Sequence, residues 1–125
     1  MAKRNKLGQI TQGVGKYMRV WEIWFADFPY EEDATITKKR PVIILNVEPL
    51  EVLSVKVTSQ DVRYEDKYDT PIQYWSEAGL DRPSIARIAK TMFLDKQNFV
   101  HKIGTLHDDD KISILTKYTE YLKNN

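Results

Sequence analysis

The chain has 125 residues, of which 42% are hydrophobic and 30% charged, so we expect one soluble domain with its own core. It has no cysteine and only two histidines, which excludes disulfides, thiolate metal sites, a cysteine nucleophile and histidine-rich metal sites. No apolar run approaches the roughly 18 residues that cross a bilayer, and no signal-peptide pattern opens the chain, so we expect a cytoplasmic protein without membrane contact.

Charge is distributed unevenly along the chain. All 18 acidic residues lie beyond residue 19, whereas the first 19 residues contain only basic charges, at Lys3, Arg4, Lys6, Lys16 and Arg19. We predict a basic N-terminal arm, residues 1–19, followed by one folded domain, residues 20–125. Such an arm favours contact with a polyanion, and the ordinary alternative is a solubilising terminus.

The first half of the folded domain shows three strand patterns. Residues 20–28 are rich in aromatic and β-branched residues and stop at Pro29, which predicts a strand. A surface loop over residues 30–39, with Ile36 as its one core candidate, leads to a second strand at 42–45. Pro41 opens this second strand, whose continuous apolar run predicts burial on both faces.

The third strand, residues 51–58, alternates in polarity as a half-buried strand does. Leu53, Val55 and Val57 share one face, and the other face carries Val52, Ser54, Lys56 and Thr58. Residues 60–70 are highly charged and predict a second surface loop.

Shorter elements follow this loop. Residues 71–75 predict a short strand, and a helical turn ends at Gly79. Residues 83–90 predict another strand, which residues 91–94 either continue or pair beside, and residues 99–104 predict the last strand.

The C-terminal segment changes to a helical period. Asp108 or Asp109 is expected to cap a helix that runs to about Leu122. Its predicted apolar stripe consists of Ile112, Leu115, Thr119 and Leu122, flanked by Tyr118. These elements predict a mainly β fold with a C-terminal helix, built as a small antiparallel sheet or a partly closed barrel.

Several segments, in order and with suitable gaps, carry a resemblance to a known family. They are EIWFADFPY (22–30), KRPVIIL (39–45), VTSQ (57–60), AGLDRPSIAR (78–87), LDK (94–96) and IGTL (103–106). In these segments the chain resembles the MazF/PemK toxins of bacterial type II toxin–antitoxin systems. The resemblance implies an SH3-like barrel, a homodimer and a cognate antitoxin that covers the RNA groove. It also implies metal-independent, sequence-selective cleavage of single-stranded RNA that leaves a cyclic phosphate and a 5′-hydroxyl.

Three residues match the family's catalytic positions. Arg40 matches the Arg-Pro arginine, Thr58 the strand-end threonine, and Arg87 an arginine of the later motif. A guanidinium suits a phosphate in bidentate contact, and a hydroxyl can hydrogen-bond a phosphate or orient the attacking group. From residue type alone, each has a structural alternative: a surface arginine, a strand terminus and an ion pair at the rim of the barrel.

Seven further residues are expected to bind the substrate, because they lie in or beside the matched segments. They are Tyr30, Lys38, Lys39, Ser59, Gln60, Ser84 and Lys90. No metal ion or other cofactor is expected, since attack by the RNA's own 2′-hydroxyl needs only a proton acceptor, a cation and a proton donor.

The chain departs from the family pattern at two places. Ala89 stands where the best-known branch often has an acidic residue, which leaves the general base open. Val20 and Trp21 precede Glu22, where the family often has Arg-Gly, so the entry to the first strand is expected to differ.

The histidines, an aspartate run and Ala89 each suggest another interpretation. His101 and His107 suggest a two-histidine ribonuclease, but they lie outside the matched positions and fit structural roles better. The run Asp108-Asp109-Asp110 suggests a cation site, and helix N-terminal charge explains it more simply. Because Ala89 replaces an acid, the alternative function is a noncatalytic module that binds RNA or protein.

Overall fold

The computed structural model describes residues 17–59 and 66–125. Most of the predicted arm, the substrate-binding candidate Gln60 and residues 61–65 of the charged loop lie outside these ranges. The described elements are β1 (Glu22–Pro29), β2 (Thr37–Val47), β3 (Glu51–Ser59), β4 (Asp69–Ile72), β5 (Ser84–Asp95), a short 3-10 turn (Lys96–Asn98), β6 (Phe99–Thr105) and α1 (Asp108–Asn124).

The six strands form one antiparallel sheet in the order β4-β5-β3-β2-β1-β6. The prediction of a mainly β fold with a C-terminal helix is confirmed, and the barrel is open because β4 and β6 are free edges of this sheet. Since β2, β3 and β5 are neighbours, residues far apart in the sequence meet on adjacent strands. This topology positions the candidate site.

Two clusters of buried side chains stabilise the sheet, one on each face. The first packs α1 and the turn after β4 against the sheet through residues such as Ile43, Val57 and Ile114. The second lies around Trp24 and Phe99, whose rings meet edge to face with centroids 6.3 Å apart. Met18, assigned to the arm by the sequence, is buried in the second cluster, so ordered packing begins before residue 20.

Strand β2 is longer than its apolar core suggested. It begins at Thr37, which shortens the preceding loop to residues 30–36, and Ile36 is 49% exposed rather than a core residue. Pro41 lies inside the strand opposite Phe25, not at its first residue. The ladder with β3 begins only at Val42, so the missing N–H of Pro41 costs no bond on that side.

Strands β3 and β5 also differ from a simple alternation. Val52 is fully buried because β3 packs on both faces, which corrects the half-buried prediction. Residues 91–94 continue β5, which settles the alternative left open by the sequence. Between the pairs Ser54–Met92 and Lys56–Arg87, β3 has one residue, Val55, whereas β5 has four, residues 88–91, so β5 bulges.

The segment after the charged loop is part of the core rather than the surface. Tyr68, Asp69 and Thr70 are buried, because β4 starts at Asp69 and pairs with β5. The turn that follows ends at Gly79 as predicted, with a φ of +94° that favours glycine. Gly104 serves close packing, since a Cβ there would lie 2.1 Å from the Ala78 carbonyl oxygen.

Helix α1 is capped by His107 rather than by an aspartate: its Nδ1 accepts from the Asp109 N–H at 3.0 Å. The predicted apolar stripe is wrong, since Ile112, Leu115, Thr119 and Leu122 are exposed. The packed face instead carries Asp110, Ile114, Tyr118 and Tyr121. The hydropathy pattern did not identify this face because its first residue, Asp110, is charged. The Asp110 carboxylate accepts hydrogen bonds from the backbone N–H groups of Gln73 and Tyr74, each at 2.9 Å.

The entry to β1 contains a bulky residue in an unusual backbone conformation. Trp21 has a φ of +74°, a left-handed conformation that glycine adopts without cost. Its N–H donates to the Ile44 carbonyl at 2.7 Å, its carbonyl accepts from Leu106 at 2.9 Å, and its side chain packs on the first cluster. These contacts hold a tryptophan where a glycine fits more easily.

Candidate functional site

A small open cleft of about 320 Å³ lies where the ends of β2, β3 and β5 meet the turn before β5. Most of the predicted site residues line it, namely Lys38, Lys39, Arg40, Thr58, Ser59 and Ser84. The remaining lining side chains include Phe25, Asp81 and Arg82. Three lysine and arginine side chains of β2 and two hydroxyl residues at the end of β3 thus share one depression.

Arg40 and Thr58 are brought together by the register of β2 and β3. Val42 pairs with Lys56, and two residues further out along each strand come Arg40 and Thr58. Adjacent strands lie about 4.8 Å apart, and residues two apart share a face. Arg40 and Thr58 therefore lie just beyond the outermost β2–β3 pair, and both line the cleft.

A cluster of cations surrounds Lys56 on that same face. Arg87 is its direct partner on β5, and its ammonium lies 5.7 Å from the centroid of the Phe28 ring. Burial lowers the pKa of Lys56 below its usual value, and the positive charges of Arg40, Arg87 and Lys90 lower it further, while Glu31 opposes them. Arg40, Lys56, Arg87 and Lys90 form what we call the cation cluster.

The bulge in β5 accounts for the position of Lys90. Strict alternation from the core residues Ala86 and Ile88 would place Lys90 on the core face, but the inserted residues change that assignment. Its ammonium forms a salt bridge with Glu31 of the β1–β2 loop. This contact, together with the charges of Lys56 and Arg87, lowers the pKa of Glu31 and keeps its carboxylate ionised.

A buried ion pair with Asp69 on the neighbouring strand β4 holds the Arg87 side chain in place. Its Nε donates to Oδ1 of Asp69 at 2.8 Å, and the side chains are only 9% and 1% exposed. The two residues are direct partners in the β4–β5 ladder. An ion pair was the structural alternative to a catalytic role for Arg87, and Arg87 does form one. The same arrangement places a permanent positive charge beside Lys56.

Among the predicted residues that the structure describes, Tyr30, Arg87 and Lys90 do not line the cleft, whereas Lys39 and Ser84 do. Tyr30 is exposed at the start of the β1–β2 loop and does not line it. Lys39 forms an exposed ion pair with Asp27 at 3.4 Å, and the Ser84 hydroxyl donates to the Arg82 carbonyl at 2.8 Å.

Sequence reasoning missed Lys56, Asp69 and Arg82 as members of the site. The alternation of the third strand placed Lys56 and Thr58 on one face, and the sequence analysis assigned a role in the site to Thr58 alone. The sequence did not identify Asp69, because a charged residue within a highly charged segment is predicted to lie on the surface. Arg82 lies within a matched segment, and its exposed side chain adds a further cation beside the cleft.

The histidines have structural surroundings. His107 caps α1 and stacks on Tyr74 with ring centroids 3.8 Å apart, and His101 contacts the Phe25 ring at 5.1 Å. Within residues 17–59 and 66–125, no group of three or more His, Asp and Glu side chains is placed to hold a metal ion. No helix in this part of the chain is long and apolar enough to span a membrane.

Comparison with known proteins bears on the family and the fold. The family described as "PemK-like, MazF-like toxin of type II toxin-antitoxin system" matches residues 19–122. No curated protein sequence matches the chain.

Solved structures match nearly the whole domain. The Mycobacterium tuberculosis toxin MazF-mt6 has a TM-score of 0.65 and 20% identity over 82% of this chain and 96% of that one. An endoribonuclease in complex with its cognate antitoxin, from a mycobacterial species, has a TM-score of 0.68 and 13% identity over 86% and 96%. MazE–MazF from Deinococcus radiodurans has a TM-score of 0.63 and 12% identity over 86% and 97%. At these identities the likeness establishes the fold.

Proposed function

The chain belongs to the PemK-like, MazF-like toxins of type II toxin–antitoxin systems, and we propose that it is an endoribonuclease that cleaves single-stranded RNA at selected sequences without a metal ion. One observation carries the proposal. Arg40 and Thr58, two of the three residues matched to catalytic positions, both line the cleft, and Arg40 belongs to the cation cluster.

The cation cluster fits the charge of the reaction. When the 2′-hydroxyl attacks the neighbouring phosphorus, negative charge grows on the nonbridging oxygens, and fixed cations aimed at them lower the barrier. The guanidinium of Arg40 has a planar fork of N–H donors that suits two of these oxygens. We propose that Arg40 stabilises the charge of the developing phosphorane and that the Thr58 hydroxyl forms a hydrogen bond to the same phosphorane. Arg87 reinforces the field from its fixed position.

Glu31 is our choice for the proton acceptor that the sequence left open. Ala89 has no carboxylate, whereas the salt bridge to Lys90 brings Glu31 to the edge of the cation cluster. An ionised carboxylate can take the proton of the 2′-hydroxyl as the new O–P bond forms. The bond between phosphorus and the 5′-oxygen breaks, and that oxygen keeps the electron pair and takes up a proton. The products are a 2′,3′-cyclic phosphate and a 5′-hydroxyl.

Substrate binding and partners form the remainder of the proposal. We assign the RNA backbone to Lys38, Lys39, Ser59 and Ser84 along the cleft, and we propose that Tyr30 and Gln60 also contact the RNA. A cleft of about 320 Å³ is at the lower end of ligand-pocket sizes and would hold only part of a strand.

We further propose a cognate antitoxin, a homodimer, action in the cytoplasm, and a basic N-terminal arm that precedes the packed residue Met18. The antitoxin complex of the mycobacterial endoribonuclease supports the first of these.

The test is incubation of the purified chain with a long single-stranded RNA in EDTA. Cuts should recur at one short sequence, and their 5′ ends should accept phosphate directly from polynucleotide kinase. Arg40→Ala should abolish them. Lys123→Ala, which removes an exposed cation at the end of α1 outside the cleft, is the control and should cut normally.

Two results would count against the proposal. Normal cleavage by a folded Arg40→Ala chain would remove Arg40 from the chemistry. RNA binding without cleavage, at every RNA and pH tried, would favour the noncatalytic binding module that Ala89 suggested.

A further inference from the structure

We propose that Lys56 is the general acid of this site, the group that protonates the leaving 5′-oxygen. The inference rests on the proposed RNA cleavage and adds a catalytic residue that the family motifs in this sequence do not contain. It follows from the place of Lys56 in the sheet and from the chemistry of its neighbours.

Lys56 occupies the centre of the cation cluster. It lies on β3 with Arg87 directly opposite on β5 and Val42 opposite on β2, and Thr58 follows two residues later on the same face. A rise of about 3.3 Å per residue puts Thr58 roughly 6.6 Å away along the strand. A phosphate held by Arg40 and Thr58 would therefore have its next backbone oxygen within reach of a flexible lysine.

The other cations of the cluster are less suited to donating a proton. Arg40 and Arg87 carry guanidinium groups that stay protonated throughout the physiological range. Lys90 can donate, but its ammonium is held by Glu31. Lys56 has no carboxylate partner among residues 17–59 and 66–125 and lies against the Phe28 ring.

The charges that face Lys56 are those a lysine acid needs. Arg40 comes from β2, Arg87 and Lys90 from β5 and Glu31 from the β1–β2 loop, while Asp69 on β4 faces Arg87. Burial and the three cations lower the pKa of Lys56, which makes the ammonium a better proton donor than an exposed lysine.

The step balances without another reactant. The 2′-oxygen forms its bond to phosphorus and loses its proton to the base. The bond from phosphorus to the 5′-oxygen breaks, and that oxygen takes a proton from the Lys56 ammonium. Lys56 is left as a neutral amine, which water reprotonates before the next turnover.

The experiment compares two leaving groups. After cleavage sites are mapped on a long RNA, one oligonucleotide is made with the ordinary 5′-oxygen at the cut and one with a bridging 5′-sulfur there. A thiolate leaves without a proton, so general acid catalysis matters only for the oxygen substrate. Lys56→Met and Lys56→Arg should each cut the oxygen substrate about 100-fold more slowly or worse. Both should cut the sulfur substrate within about tenfold of the unmodified chain.

Controls separate a chemical role from a structural one. Lys123→Met, at the exposed end of α1, should leave both rates unchanged. Arg40→Ala should be slow on both substrates, because its charge is needed with either leaving group. Lys56→Arg keeps the positive charge, so it carries the test if Lys56→Met fails to fold.

Each outcome decides between the two proposals. An unmodified chain that cuts neither substrate overturns both. A chain that cuts both, with Lys56→Arg equal to it on the oxygen substrate or equally slow on both, overturns the role of Lys56 alone. A fall in the rate on oxygen with rising pH, absent on sulfur and absent in Lys56→Arg, supports it.

Discussion

Removing the Asp69 carboxylate should destabilise the protein strongly, because it breaks a buried ion pair and leaves the charge of Arg87 in place. The two side chains are 1% and 9% exposed and meet at 2.8 Å. Loss of one partner from such a pair costs about 3–5 kcal/mol, since the remaining charge stays desolvated. We expect Asp69→Ala to lower the free energy of unfolding by that amount.

The chain supplies a matched control in the exposed pair of Asp81 and Arg82. These side chains are 88% and 60% exposed and meet at 3.5 Å. Asp81→Ala should change stability by less than about 1 kcal/mol. Urea unfolding followed by circular dichroism measures both variants, and an unchanged slope against urea shows that the same surface is exposed on unfolding.

The double variant Asp69→Ala/Arg87→Met completes the measurement. If the pair interacts as the geometry indicates, the double variant loses at least about 1 kcal/mol less than the sum of the single variants. Additive losses, or an Asp69→Ala variant as stable as Asp81→Ala, would refute the reasoning. The result also governs how Arg87 variants are interpreted, because reduced cleavage informs on chemistry only in a folded protein.

Four further predictions concern other parts of the chain. Trp21→Gly should be more stable than Trp21→Ala by about 1–2 kcal/mol, because both lose the indole but only alanine retains the cost of a φ of +74°; equal melting temperatures would contradict this. Asp110→Ala should lower stability by about 1–3 kcal/mol for each of the two backbone hydrogen bonds it removes, and Asp110→Asn, which keeps one acceptor, should lose less in urea unfolding. Burial would raise the pKa of Glu22, but hydrogen bonds lower it below 4.5, so its stabilisation is complete above that pH and is lost as the pH falls through the lowered value. The difference in melting temperature between the natural chain and Glu22→Gln should therefore shrink in acid, and a constant difference would be inconsistent with this assignment. Deleting residues 2–16 should reduce the slope of RNA affinity against salt, by about 0.7 for each phosphate contact removed, and an unchanged slope would exclude the arm from RNA binding.

The sequence predicted the strands well wherever polarity and strand period agree. Residues 42–45 were expected to be buried on both faces; Val42, Ile43 and Ile44 are fully buried, and Leu45 is half-buried. The same reasoning failed for α1, where the buried face contains Asp110 and two tyrosines. A buried carboxylate that accepts hydrogen bonds from two backbone N–H groups is stable in the core. A hydropathy pattern does not include such hydrogen bonds, so it predicted that Asp110 would be exposed.

The candidate site was predictable only in part, for a related reason. Arg40 and Thr58 could be found because they lie in recognisable segments. The sequence could not reveal that Asp69 supports Arg87 from the edge strand, since that contact depends on strand order. Nor could it place Lys90, because the β5 bulge, not the local alternation, sets the direction of that side chain.

The departure at Ala89 has a different meaning once the bulge is considered. Position 89 lies among the inserted residues of β5, next to Lys90, and the carboxylate that approaches this end of the cluster comes from Glu31 on another element. The Glu31 carboxylate reaches Lys90 from the β1–β2 loop, whereas one at position 89 would belong to β5 itself. In our proposal, permanent charge is then supplied by arginines on the strands, and the two protons are moved by Glu31 and Lys56. The absence of an acid at position 89 is therefore compatible with catalysis, provided that the loop and the sheet act together.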